Sequence, residues 1–118
     1  MAYKLTISDV VELPVKFTVN DAGKTVAHSF TLSARRMDQQ LLRETLQDSS
    51  KLTRDVLHDQ VTGWRGQRLV VDDNDAPAEF STEAFACLLS LAGMESVVLN
   101  AYLAALALAD TSAGKAKN

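Results

Sequence analysis

The residues able to do chemistry are few and widely spaced: two histidines, one cysteine and several short acidic stretches in 118 residues. His58 lies between Asp55 and Asp59, and a carboxylate that orients an imidazole is the usual framework of general acid–base catalysis. On a helix, however, residues one apart point in different directions, and only Asp55, three residues back, shares a side with His58. The expectation is a solvated charged face. His28 has no second histidine, cysteine or aspartate at ligand spacing, which predicts a structural residue on the apolar side of a hairpin, or on its opposite side if a bulge shifts the register. Asp72-Asp73-Asn74-Asp75 has the acidity of a calcium loop but lacks the glycine at the sharp bend and the final glutamate; it reads as a turn with solvated carboxylates. Cys87 is alone in an apolar run, cannot form an internal disulfide, and reads as an inert core cysteine, in a reducing compartment or indifferent to redox state. No nucleophile, base and orienting residue assemble from motifs, and the sequence has no phosphate-cradling glycine loop and no metal-ligand cluster. The expected class is therefore a binding protein, with no catalytic residue, no cofactor and no metal.

Charge and hydropathy exclude further classes. Fifteen acidic and twelve basic residues leave a net charge of −3, which gives no general attraction to phosphate backbones. Arg35-Arg36 and the pair Arg65 and Arg68 are local basic spots without interleaved exposed aromatics, so no nucleic-acid partner is expected. The longest apolar run, residues 97–109, is interrupted by Asn100 and is shorter than the roughly 20 residues that cross a bilayer. No apolar block of signal-peptide length stands near Met1. Neither membrane insertion nor secretion by that route is expected.

The elements that must position these residues fall into an α+β order. Residues 4–8 predict a short first strand with Tyr3, Leu5 and Ile7 on one side. Val15, Phe17 and Val19 alternate with Lys16 and Thr18, and Val26, His28, Phe30 and Leu32 alternate with Ala27, Ser29 and Thr31; this period of two predicts an antiparallel hairpin that begins near Pro14 and turns in a five-residue loop, residues 20–24. From Met37 the period becomes helical, with Leu41, Leu42 and Leu46 inward. Residues 48–50 interrupt it, and Ser50 is placed to cap a second helix that buries Leu52, Val56, Leu57 and Val61. The stretch Val61-Thr62-Gly63-Trp64-Arg65-Gly66 holds the only tryptophan between two glycines and reads as a junction in which Trp64 is the structural anchor. Leu69-Val70-Val71 predicts a short strand or extended connector. Ser81 and Glu83 predict a helix start, with Phe80 stapled onto Phe85; that helix carries Leu88, Leu89 and Ala92 and stops at Gly93.

The last helix is predicted from near Glu95. It is apolar on nearly every side, and only Asn100 and Tyr102 mark it as polar. Such a helix is covered either by its own domain or by another chain, so residues 1–110 predict one domain, a small N-terminal sheet followed by about four helices, with a partner or self-association interface at the end. The partner-binding residues expected on this basis are Arg65 and Arg68 in the junction and Asn100 and Tyr102 in the last helix. Residues 111–118 read as a disordered polar tail.

The order of these features resembles the tail assembly chaperones of long-tailed bacteriophages. The residues that carry the resemblance are Val61-Thr62-Gly63-Trp64, the Asp/Asn/Pro turn, Pro77-Ala78-Glu79-Phe80-Ser81 leading into Phe85, Leu88 and Leu89, and Ala101-Tyr102-Leu103. One departure stands at Asp75-Ala76, where such chaperones commonly carry Asp-Gly. The resemblance implies a protein of the host bacterial cytoplasm that coats the apolar tape-measure protein, brings tail-tube subunits to it, and does not remain in the mature virion. A structural tail protein, a tube or terminator subunit self-associating through its last helix as a homo-oligomer, is the alternative.

Overall fold

The computed structural model describes residues 2–47 and 52–108. Its elements are β1 (Val10–Asp21), β2 (Lys24–Arg35), α1 (Gln39–Gln47), α2 (Thr53–Gln60), β3 (Val61–Arg65), α3 (Thr82–Leu89) and α4 (Met94–Leu106). The fold is α+β: a three-stranded antiparallel sheet in the order β1-β2-β3, with four helices following the hairpin.

The hairpin is longer and tighter than its alternation predicts. Twelve residues pair on each side, from Val10 opposite Arg35 to Asp21 opposite Lys24, so the turn holds only Ala22 and Gly23. Both have positive φ, 54° and 91°, as the primed two-residue turns require to match strand twist, and the Asn20 side chain accepts a hydrogen bond from the Gly23 amide at 2.8 Å. Ala22 is a poor occupant of this conformation, because its Cβ crowds the following carbonyl. Ala22→Asn, which makes the preferred Asn-Gly pair, is expected to raise stability by about 1 kcal/mol, read as a shift in the urea midpoint at unchanged slope.

Pro14 does not limit the strand; β1 runs through it. A two-residue turn makes the flanking Asp21–Lys24 pair a hydrogen-bonded one, and strict alternation then aims the backbone nitrogen of Pro14 at the open edge of β1, where no ladder bond is lost. The predicted strand at residues 4–8 does not form: residues 2–9 are an arm without regular structure ahead of β1.

One face of the sheet carries the core. Val11, Leu13 and Val15 of β1 and Phe30, Leu32 and Ala34 of β2 are buried, together with Val56 and Leu57 of α2, Phe85, Leu88 and Leu89 of α3, and Met94, Val98 and Tyr102 of α4. The last three recur every fourth residue, which places them in one stripe along α4. Leu13, Leu32, Leu57, Val98 and Tyr102 have no solvent exposure at all, and each large apolar side chain so buried contributes roughly 1.5–3 kcal/mol of transfer free energy. The other face carries Glu12, Lys16 and Thr18 and stays open to solvent.

The stretch read as a junction is strand β3, and a bulge explains why alternation missed it. Val61 opposes Ala34 while Trp64 opposes Leu32, with the register shifting between Ser33 and Ala34. The extra residue lets side chains three apart both face the core, a spacing that a regular strand would send to opposite sides. Val61 therefore belongs to the sheet, not to the helix before it. Leu52, expected inside α2, precedes it and is exposed. The Ser50 cap, the interruption at residues 48–50 and the tail at residues 111–118 lie outside the described residues.

The later punctuation follows the sequence with small shifts. The Ser81 hydroxyl accepts from the Ala84 amide at 3.0 Å and caps α3, and the rings of Phe80 and Phe85 lie 5.7 Å apart. Helix α3 ends at Leu89, capped by Ser90, leaving Ala92 outside it. Gly93, at φ 89°, is the residue from which α4 starts, so its left-handed backbone makes the corner between the two helices.

Candidate partner-binding surface

Around Trp64 the chain is tied down by polar contacts. Its indole Nε1 donates to the Ala78 carbonyl at 3.0 Å, and its ring meets Phe80 edge-on with centroids 5.2 Å apart. Beside it Gln67, buried among apolar residues, satisfies four backbone groups. Its Nε2 donates to the carbonyls of Val70 and Ala78 at 2.9 and 3.2 Å, and its Oε1 accepts from the amides of Leu69 and Val70 at 3.1 and 2.8 Å. Val71 bridges Pro77, and the Asp72 carboxylate accepts from the amides of Asn74 and Ala76. Trp64 and Gln67 together hold the loop of residues 66–80 against β3. An open hollow of about 390 Å³ beside Trp64 is lined by Arg65, Gly66, Pro77 and Phe80.

The residues predicted to bind a partner are not brought together. Arg65 lies on the open face of the sheet and makes a two-point ion pair with Glu12 across β2, at 2.7 and 3.2 Å; both side chains are more than half exposed, so the pair contributes little stability. Arg68 is exposed in the loop. Asn100 is exposed and lines a crevice of about 550 Å³ between β1 and α4 with Pro14, Val15, Lys16, Val97 and Ala101. Tyr102 is a correction: it has no solvent exposure, and its hydroxyl donates to the Arg35 carbonyl. Burial raises its pKa to about 12, partly offset by the nearby positive charge of Arg36. A residue so placed ties α4 to β2 and is not available to a partner. Its ring packs inward because position 102 continues the stripe of Met94 and Val98.

The residues that could do chemistry are placed differently from expectation in two cases. Cys87 is exposed on α3 rather than buried, since Phe85, Leu88 and Leu89 take the inward positions. His58 is not on a solvated face; it is half-buried with its ring edge-on to Phe85 at 5.2 Å. His28 stacks on Phe17 across the hairpin, with centroids 5.6 Å apart. Among the described residues no three His, Cys, Asp or Glu side chains group as a metal site would need, and no single helix is long and apolar enough to cross a membrane.

A surface that sequence reasoning missed lies at the other end of the molecule. Helix α1 has leucines at 41, 42 and 46, yet none of its residues is buried. The Asp38 side chain caps it by accepting from the Leu41 amide at 2.8 Å, and Thr45 folds back onto the Leu41 carbonyl. Leu41 and Leu42 are half covered and Leu46 is 59% exposed. The N-terminal arm passes beside it, fixed at its base where Arg36 donates its amide to the Asp9 carbonyl and its Nε to the Ser8 carbonyl. Beyond that base Tyr3, Leu5 and Ile7 are 90%, 80% and 55% exposed. Leu106 at the end of α4 and Leu108 just beyond it, 92% exposed, complete the wall. Between them lies a groove of about 530 Å³ lined by Leu5, Ile7, Met37, Leu42, Leu106 and Leu108. The sequence carries its signal as the alternation in the arm and the leucines of α1; Leu41 and Leu42 pack only partly against the core, and Leu46 and the arm stay outside it.

No protein-family profile, curated protein or solved structure matches the chain. What the fold establishes is an α+β protein with one apolar core and an uncovered apolar end.

Proposed function

We propose that this protein is a tail assembly chaperone of a long-tailed bacteriophage, which covers the apolar helices of the tape-measure protein and brings tail-tube subunits to them in the host cytoplasm. The observation that carries this reading is the apolar end: an amphipathic helix with no buried residue, beside an arm and a helix terminus whose large side chains are open to solvent. Contiguous apolar surface of this kind marks interaction sites in soluble proteins. A holdase acts by such differential burial, removing from water surface that would otherwise drive aggregation. The resemblance over residues 61–81 and in α4 supports the same reading, with the difference that binding falls to the leucines of α1 and the end of α4 in place of Tyr102.

Co-expression provides the test. The tape-measure protein of the same phage is expected to shift from the pellet to the soluble fraction when this chain is present, and to co-purify with it. An unchanged soluble fraction with no co-purifying complex contradicts the reading.

A further inference from the structure

The hollow beside Trp64, apart from the apolar end, has the chemistry to select a ligand. It is walled by the rings of Trp64 and Phe80 and bordered by Pro77, Ala78 and Glu79. Both rings are only half-buried. Their edge-on contact takes up one face of one ring, and Trp64 meets no other ring among the described residues, so aromatic π surface stays open to the hollow. The polar groups around the rings are committed. The indole donates to the Ala78 carbonyl, the Gln67 amide serves four backbone groups, and Glu12 holds the Arg65 guanidinium at two points. Glu79 differs: it is exposed, and among the described residues its carboxylate has no hydrogen-bond or ion-pair partner. Residues 66–80 carry four carboxylates against one arginine, a local field that draws cations.

A free carboxylate beside open aromatic faces recognises a cation, which the ring quadrupole attracts from above and the carboxylate neutralises from the side. A guanidinium suits both better than an ammonium does, because it is planar, stacks on aromatic faces, pairs with a carboxylate at two points and is weakly hydrated. We infer that this hollow binds an arginine side chain of a second polypeptide, with the guanidinium against the Trp64 ring and paired with Glu79. An anion would face the Glu79 charge, with Arg65 already engaged by Glu12, and a purely apolar ligand would leave the carboxylate unused. The inference does not rest on the chaperone reading. Where both hold, the arginine belongs to a polypeptide other than the tape-measure protein, whose place is the apolar end, so either can fail without the other.

Titration of the full chain with N-acetyl-arginine methylamide, followed by amide and indole nitrogen–proton NMR spectra, tests it. The Trp64 indole signal and the amides of Glu79 and Phe80 are expected to shift with a dissociation constant of about 1–10 mM, as befits one side chain taken out of its polypeptide. N-acetyl-citrulline methylamide has nearly the same shape and no charge, and is expected to bind at least about fivefold more weakly. Glu79→Gln should weaken arginine binding about three- to fivefold, while Asp73→Asn, in the same loop but away from the hollow, should leave it unchanged. Both positions are exposed, so the remaining signals should keep their places and report an intact fold. The inference is overturned if arginine gives no saturable shift up to about 50 mM, if citrulline binds as well as arginine, or if Glu79→Gln has no more effect than Asp73→Asn.

Discussion

Replacing Tyr102 with alanine is expected to lower stability by about 3–5 kcal/mol, the range for removing a fully buried aromatic side chain. The ring sits at the centre of the α4 stripe and its hydroxyl caps a β2 carbonyl, so both the packing of α4 on the sheet and one buried hydrogen bond are lost together. Against the 5–15 kcal/mol of a typical domain, this leaves little margin. Tyr102→Phe separates the two contributions: it keeps the ring and leaves the Arg35 carbonyl unpaired, at about 1–2 kcal/mol.

The same hydroxyl gives the protein an alkaline limit. Tyrosine is neutral when protonated, and burial raises its pKa in the folded state to about 12 from an ordinary 10.0. The folded state thus holds the proton where the unfolded state releases it. The contribution is fully present below pH 10 and is lost as pH rises from 10 to 12. Urea titrations across that window are expected to show wild type losing stability that Tyr102→Phe does not lose.

The second large effect is expected at Gln67. Gln67→Leu keeps the size of the side chain but strips partners from the amides of Leu69 and Val70, while the Val70 carbonyl keeps its bond from the Ala78 amide and the Ala78 carbonyl its bond from Trp64. Each buried group left unpaired costs about 1–3 kcal/mol, so for two of them a loss of about 2–6 kcal/mol is expected. Because Trp64 is the only tryptophan and touches the same loop, its fluorescence should shift to the red as residues 66–80 loosen. A Gln67→Leu protein with unchanged midpoint and emission would show that the loop is held by Trp64 and Phe80 alone.

What was legible in the sequence divides along physical lines. Period-two alternation over residues 15–19 and 26–32 identified the hairpin, since side-chain direction in a strand depends only on parity. The Ser81 cap and the Phe80–Phe85 staple were legible because they are local. The bulge in β3 was not: it places Val61 and Trp64 on one face at a spacing that fits neither period. Gln67 was passed over because a glutamine carries no sign of burial until the four backbone groups around it are known. Tyr102 and Asn100 were treated alike as polar marks on an apolar helix, yet they are two residues apart and lie on different sides. The arm failed for the opposite reason. Tyr3, Leu5 and Ile7 have the alternation of a strand, but pairing needs a neighbouring strand, and among the described residues none pairs with them.

That uncovered end is where function is placed, and amide hydrogen exchange tests the placement most directly. The protein is compared alone and in complex with the tape-measure protein. Protection is expected in residues 3–9, 39–47 and 103–108, with the loop at 66–80 unchanged. Failure to form a complex, or protection confined to the Trp64 loop or the hairpin, would contradict the account.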